Sequence, residues 1–166
     1  MRERRPIELL SPARDIATAK EAILHGADAV YIGAPRFGAR AAAGNTIDDI
    51  ATLVEYAHFY RVKVYVALNT ILCDDELAEA EKIIHDLYRA GVDALIIQDM
   101  AIMKLDIPPI PLHASTQCDN DSIQKVRFLQ EAGFTQVVLA RELTLKKIKE
   151  IADNTDVPLE VFIHGA

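Results

Sequence analysis

Cysteine is scarce: Cys73 and Cys118 are the only two in 166 residues. Two cannot make a disulfide framework, so the expectation is reduced thiols in a cytoplasmic protein. No apolar run approaches the ~20 residues that cross a bilayer. The opening Met1-Arg-Glu-Arg-Arg-Pro6 lacks the apolar stretch of a secretory signal, so no membrane partner is expected. Basic excess is missing as well. Lys and Arg number 18 against 25 Asp and Glu, a formal charge of −7, which argues against this chain alone acting as a nucleic-acid clamp. The marks of disorder are absent too, because 51% of the residues are hydrophobic and the net charge is modest. A chain this long buries roughly two thirds of its unfolded surface, enough for a core of its own.

Familiar catalytic strings are equally absent. There is no G-x-S-x-G, no H-E-x-x-H and no evident Ser/His/Asp order. Gly33 and Gly38 have the first spacing of a phosphate-binding P-loop, but Ala39 and Arg40 stand where Lys and Ser or Thr would be.

What is present is alternation. Apolar runs occur at Ile7–Ser11, Ala29–Ile32, Lys63–Leu68, Ala94–Gln98, Pro111–Ala114, Gln136–Leu139 and Leu159–Ile163, most of them rich in β-branched residues. Nearly continuous apolar character is that of strands buried on both faces. Between them lie helical stripes: Ile47, Ile50, Val54 and Ala57; Leu77, Ala80, Ile84 and Leu87; Ile123, Val126 and Leu129. Thr46 with Asp49, Asp74 and Asp75 before Leu77, and Thr144 before Leu145 read as helix starts. Gly26, Gly91 and Gly133 read as helix ends.

The joint between helix and strand recurs at 25–33, 90–98 and 132–140: helix end, glycine, polar step, apolar strand. Such βα units in series imply a parallel sheet. The tally is about seven strands and six helices, with a short fourth helix around Asp99–Leu105. The expected fold class is therefore α/β, a TIM-barrel-like repeat with parallel strands, incomplete. An open doubly wound sheet fits the alternation too, but no G-x-G-x-x-G follows the first strand. A (β/α)₈ barrel needs ~250 residues and eight strands. Residues 1–166 are accordingly read as a single N-terminal barrel-like domain of a longer protein.

In such folds the chemistry sits at the carboxyl ends of the strands. There the sequence places Asn69, Gln98, His113, Ser115, Gln117, Arg141, Glu142 and His164 as candidate substrate-binding residues. Arg141 is suited to fork onto a carboxylate or phosphate, or else to pair with a neighbouring acid. Gln98 and Asn69 offer donors and acceptors to an amide or heteroaromatic ligand, or to loop backbone. His113 and His164 suit a general base, an RNA-facing donor or a metal ligand, or a packed structural role. The loop Gly33–Asn45 carries Arg36 and Arg40, a candidate anion cradle or a flexible lid. Cys73, Cys118 and His113 match no metal-site spacing, so no metal is expected. Catalytic residues are not legible, nor are the oligomeric state and any closure of the barrel by dimerisation.

Several strings resemble peptidase family U32, the collagenase-like proteases: Glu8–Arg14, Gly26–Gly33, Leu68–Thr70, His113–Gln117, Val138–Leu143 and Glu160–Ala166. Phe37–Arg40, Ile97–Met100, Leu105–Pro109 and Ser115–Asp119 resemble the branch that hydroxylates a cytidine of 23S ribosomal RNA. The resemblance implies a hydroxylase parent whose substrate mouth this segment shapes. Its alternatives are the peptidase of the family label and a non-catalytic binding or folding module. Other branches are associated with hydroxylating a tRNA uridine or a quinone ring. Several carry an iron–sulfur cluster on four cysteines in a segment that follows the Glu160–Ala166 string. That cluster is expected in the full-length protein, with no cofactor held by residues 1–166, which alone are expected to be inactive. RNA is the implied partner.

Overall fold

Strand β3 (Lys63–Leu68) is apolar on both faces. Val64, Val66 and Leu68 join the core shared with the helices, while Tyr65 and Ala67 join a separate inner cluster with Ala29, Ala94 and Ile96. Burial of both faces is why the apolar runs read as continuous rather than alternating. The computed structural model describes residues 7–38 and 44–164. Six further strands appear there: β1 (Leu10–Pro12), β2 (Ala29–Gly33), β4 (Ala94–Ile97), β5 (Leu112–Ala114), β6 (Gln136–Val138) and β7 (Leu159–Glu160). All are parallel and lie in sequence order, each paired with the next.

Parallel neighbours need crossovers. These are α1 (Ile16–Leu24), α2 (Ile47–Phe59), α3 (Leu77–Arg89), α4 (Ile123–Ala132) and α5 (Leu145–Asp153), five α-helices among the described residues. The sixth expected helix, between β4 and β5, is a five-residue 3₁₀ helix, Met100–Lys104. Pro108, Pro109 and Pro111 follow at once and cannot continue a helix. The helical stripes are buried as the periodicity requires, with Ile50, Leu53, Val54 and Ala57 on α2 and Ala80, Ile84 and Leu87 on α3.

Thr46 and Asp49 close a reciprocal capping box: Asp49 N donates to Thr46 Oγ1 at 3.1 Å and Thr46 N to Asp49 Oδ2 at 2.9 Å. Thr144 caps α5 through Lys147 N. Asp74 and Asp75 do not cap α3. They form a 3₁₀ turn, Asp74–Glu76, that runs directly into it, and the residue before Leu77 makes no side-chain cap. Gly91 and Gly133 end α3 and α4 with φ of 84° and 108°, backbone that a Cβ would strain.

The sheet curls. Ala13, just past β1, lines the same cavity as Glu160 and Phe162 at β7, with Ala67 and Ile96 of the middle strands between them. Seven strands thus make an incomplete, TIM-barrel-like wall whose carboxyl ends share one rim. Among the described residues β1 and β7 each pair with a single strand. No described helix is long and apolar enough to cross a membrane.

Candidate functional site: the rim and mouth of the curled sheet

The rim is built from residues that follow β3 and β5. Ser115 follows β5 and caps a 3₁₀ turn, Thr116–Cys118, accepting from Gln117 N at 3.2 Å. Asn69, just past β3, donates from Nδ2 to the same Ser115 Oγ at 3.3 Å. Gln98, past β4, donates to the Gln117 carbonyl at 3.2 Å. Asp119 ends the turn at φ 57°, ψ 62°, a left-handed backbone that Asp tolerates better than most residues. The side chain of the next residue, the fully buried Asn120, ties this turn to β6.

Asn69 and the Ser115–Gln117 stretch border a cavity of about 110 Å³. Of the sequence-derived candidates, Asn69, Ser115, Gln117 and Arg141 line it. Arg141 lies face-on over the Phe162 ring, its guanidinium carbon 4.2 Å from the centroid. Tyr31, Ile96 and Val138 supply apolar lining.

The lining residues that the sequence reading missed include Tyr31, Glu160 and Phe162. Glu160 lies on β7 and receives a hydrogen bond at Oε2 from Gln136 Nε2 of β6 at 2.8 Å. Burial pushes its carboxyl above the ordinary range; the Gln136 bond opposes this and nearby Glu8 adds to it. The available signal was parity. Leu159 belongs to the helix-facing core, so the next residue along a strand faces inward.

Inside the barrel wall, the His113 side chain is 6% exposed and does not line the cavity. Its ring meets Tyr65 edge-on, centroids 4.8 Å apart. Tyr65 in turn donates to Glu8 Oε1 at 2.7 Å, and Lys63 Nζ pairs with Glu8 Oε2 at 2.7 Å. Burial holds the His113 imidazole down at about 4, with Lys63 adding and Glu8 opposing. His113 Nδ1 is buried with no hydrogen-bond partner among the described residues. Burial, followed by the bond to Glu8, raises the Tyr65 hydroxyl.

The remaining candidates lie apart. Glu142 lines a second cavity of about 380 Å³ together with Arg141, Gln117 and Asp119. His164 is exposed. The Arg36 guanidinium pairs with Glu79 and, at 3.7 Å, with Glu76 at the start of α3, and stacks over Phe37. Arg40 lies outside the described residues. Cys73 is exposed, and the half-buried Cys118 thiol reaches the Gln98 carbonyl at 3.5 Å. Among the described residues no group of three or more His, Cys, Asp or Glu could hold a metal ion. The mouth as a whole can grip a small planar polar ligand: amides for its edge, a guanidinium–aromatic pair for its face, a carboxyl below.

The model of peptidase family U32 matches residues 14–166. The chain belongs to this family. Its sequence is 64% identical over 160 residues to the 23S rRNA 5-hydroxycytidine C2501 synthase of Escherichia coli, covering 96% of this chain and 24% of that protein. An uncharacterized protease of Methanocaldococcus jannaschii is 40% identical over 167 residues, covering 96% and 41%. A tRNA hydroxylation protein of Bacillus subtilis is 37% identical over 163 residues, covering 96% and 39%. The U32 chain thus spans about a quarter of the first relative and about two fifths of the other two. Among solved structures, a U32 peptidase superposes with a TM-score of 0.72 at 9% identity, covering 97% of this chain and 71% of that one, a likeness of fold.

Proposed function

We propose that this U32 chain forms the substrate mouth of an enzyme that hydroxylates a cytidine of ribosomal RNA. The observation that carries the reading is the mouth cavity: a ring-sized space edged by Asn69, Ser115 and Gln117 and walled by the Arg141–Phe162 pair. Single unstacked bases are recognised in this way, by hydrogen bonds to their edges and by stacking on aromatic or guanidinium planes. The 64% identity to a 5-hydroxycytidine synthase supports cytidine as the base. With a formal charge of −7 on this chain, phosphate contacts fall to basic residues elsewhere in the full-length protein. The site of action is the cytoplasm, where ribosomal RNA is.

Proteolysis finds less support in these residues. Ser115 Oγ takes its hydrogen bonds from Asn69 and Gln117 N, not from a base. Burial raises the Cys118 thiol, the opposite of what a nucleophile needs. An iron–sulfur cluster belongs to the full-length protein in this reading, held by cysteines outside residues 1–166. The two cysteines here do not fit one, since neither joins a group of ligating side chains among the described residues.

The test is a nucleoside comparison. Ribosomal RNA from a strain lacking the full-length gene should lose one oxidised cytidine, and the restored gene should return it. An unchanged nucleoside profile, with casein or collagen cleaved by the pure full-length protein, reverses the reading to a peptidase. An unchanged profile with no cleavage leaves a non-catalytic module. Full-length protein purified without oxygen should be brown and contain iron and acid-labile sulfide; colourless, iron-free protein removes the cluster from the proposal.

A further inference from the structure

Glu160 is the acidic residue among those that line the mouth cavity. Its neighbour Gln136 donates to Oε2 and so fixes the turn of the carboxyl group, holding that oxygen as an acceptor. Oε1 takes no protein hydrogen bond among the described residues. The cavity of about 110 Å³ is several times the ~10–15 Å³ that a water needs. It is well below the ~300–1,000 Å³ of a drug-sized site. That is the scale of a single planar ring. Arg141 and Phe162, the guanidinium carbon 4.2 Å from the ring centroid, line the same cavity as Glu160.

We infer that Glu160 determines base specificity at the mouth, accepting a hydrogen bond from the exocyclic amino group of one unstacked cytosine seated beside the Arg141–Phe162 pair. The inference rests on the RNA reading above and names the group that selects the base. The chemistry is complementary. A carboxylate oxygen is an acceptor only, and cytosine presents an amino donor where uracil presents a carbonyl oxygen. Uracil therefore sets oxygen against oxygen at Glu160. The stacking wall has no such preference, because every base has a π-face.

The Gln136 bond makes a sharp test possible. In Glu160→Gln the same Gln136 donation holds the new amide's oxygen, leaving its NH₂ toward the base. That is a donor where cytosine needs an acceptor and uracil offers one. Full-length protein is titrated with labelled oligo(C) and oligo(U) under one salt condition. The wild type should bind oligo(C) roughly 10- to 100-fold more tightly than oligo(U). Glu160→Gln should abolish or invert that ratio, Glu160→Ala should bring it close to one, and Phe162→Ala should weaken both RNAs alike. A wild-type preference retained by Glu160→Gln and Glu160→Ala, or lost in neither direction but with both affinities lowered equally, overturns the role of Glu160 and leaves the RNA reading standing. Wild-type protein that binds neither RNA counts against the RNA reading itself.

Discussion

Asn120 donates from Nδ2 to the Ser115 carbonyl at 2.8 Å, and the same nitrogen reaches the Val138 carbonyl at 2.7 Å. One fully buried amide therefore joins the end of β5 to the end of β6 beneath the rim. The Ser115 carbonyl keeps Cys118 N as a donor at 3.0 Å if the amide goes, but the Val138 carbonyl loses this side-chain partner, and an unsatisfied buried acceptor costs ~1–3 kcal/mol. Asn120→Ala should lower stability by about 1–3 kcal/mol, read as a shift of the urea midpoint. Asn120→Asp should cost more than Ala, since it sets a buried carboxylate against two carbonyl oxygens with no donor between them. Equal losses in the two variants would show that volume, not donation, matters here.

Gly38 marks a second tight point. A Cβ built on it would lie 2.8 Å from the Ala67 carbonyl oxygen and 3.3 Å from Ala34 N, both backbone atoms that cannot swing aside. The segment is pinned to the end of β3 by Ala34 N donating to Ala67 O at 3.1 Å and Thr70 N to Phe37 O at 3.1 Å. Gly38→Ala should therefore push this loop off β3 and destabilise the fold by ~1–3 kcal/mol, the usual cost of overpacking. A melting temperature equal to the wild type's would show that the loop yields freely.

How far the sequence carried the structure is visible in single elements. β3 was read as Lys63–Leu68 and is found there, because its apolar run is bounded by polar residues and buried on both faces. β1 was read at Ile7–Ser11 but pairs over Leu10–Pro12. Ile7 is 95% exposed, so its apolar character reports no burial. The rim was legible because a parallel sheet puts all carboxyl ends on one side, which gathers Asn69, Ser115, Gln117 and Arg141 without further information. Arg36 was not legible. Its carboxylate partners, Glu76 and Glu79, stand some forty residues later where the 3₁₀ turn runs into α3, and no local pattern joins them. Glu160 was hidden inside an apolar run, where only the inward parity of the strand marks it.

The two cysteines should behave differently. Cys73 is exposed, whereas Cys118 is half-buried, points at the carbonyls of Gln98 and Ile97, and has its thiol pushed up by burial. Alkylation follows the thiolate and its access. Iodoacetamide at neutral pH should label Cys73 well before Cys118, as mass spectrometry of tryptic peptides would record. Cys118→Ala should leave unchanged the hydroxycytidine formation proposed for the full-length protein. Preferential labelling of Cys118, or loss of activity in that variant, would revive a nucleophilic cysteine and with it the peptidase reading.

His113 gives the fold a definite response to acid. Its imidazole titrates at about 4 in the folded protein against 6.5 ordinarily, chiefly because it is buried beside Tyr65. Lys63 pushes it down further and Glu8 pulls it up; these are the charged groups that act on it. Between those two values the unfolded chain holds a proton that the folded chain refuses. Stability is therefore full above pH 6.5 and falls as the pH drops toward 4, by on the order of 3 kcal/mol for this group. Glu160 slopes the other way. Its raised carboxyl favours the folded state while protonated, and that contribution is lost as the pH rises through its folded value. Replacing His113 by Phe removes the first slope and keeps an edge-on ring against Tyr65. The melting temperature of His113→Phe should consequently fall less than the wild type's between pH 7 and pH 5. An identical acid response in the two proteins would mean that His113 takes up its proton without unfolding its surroundings.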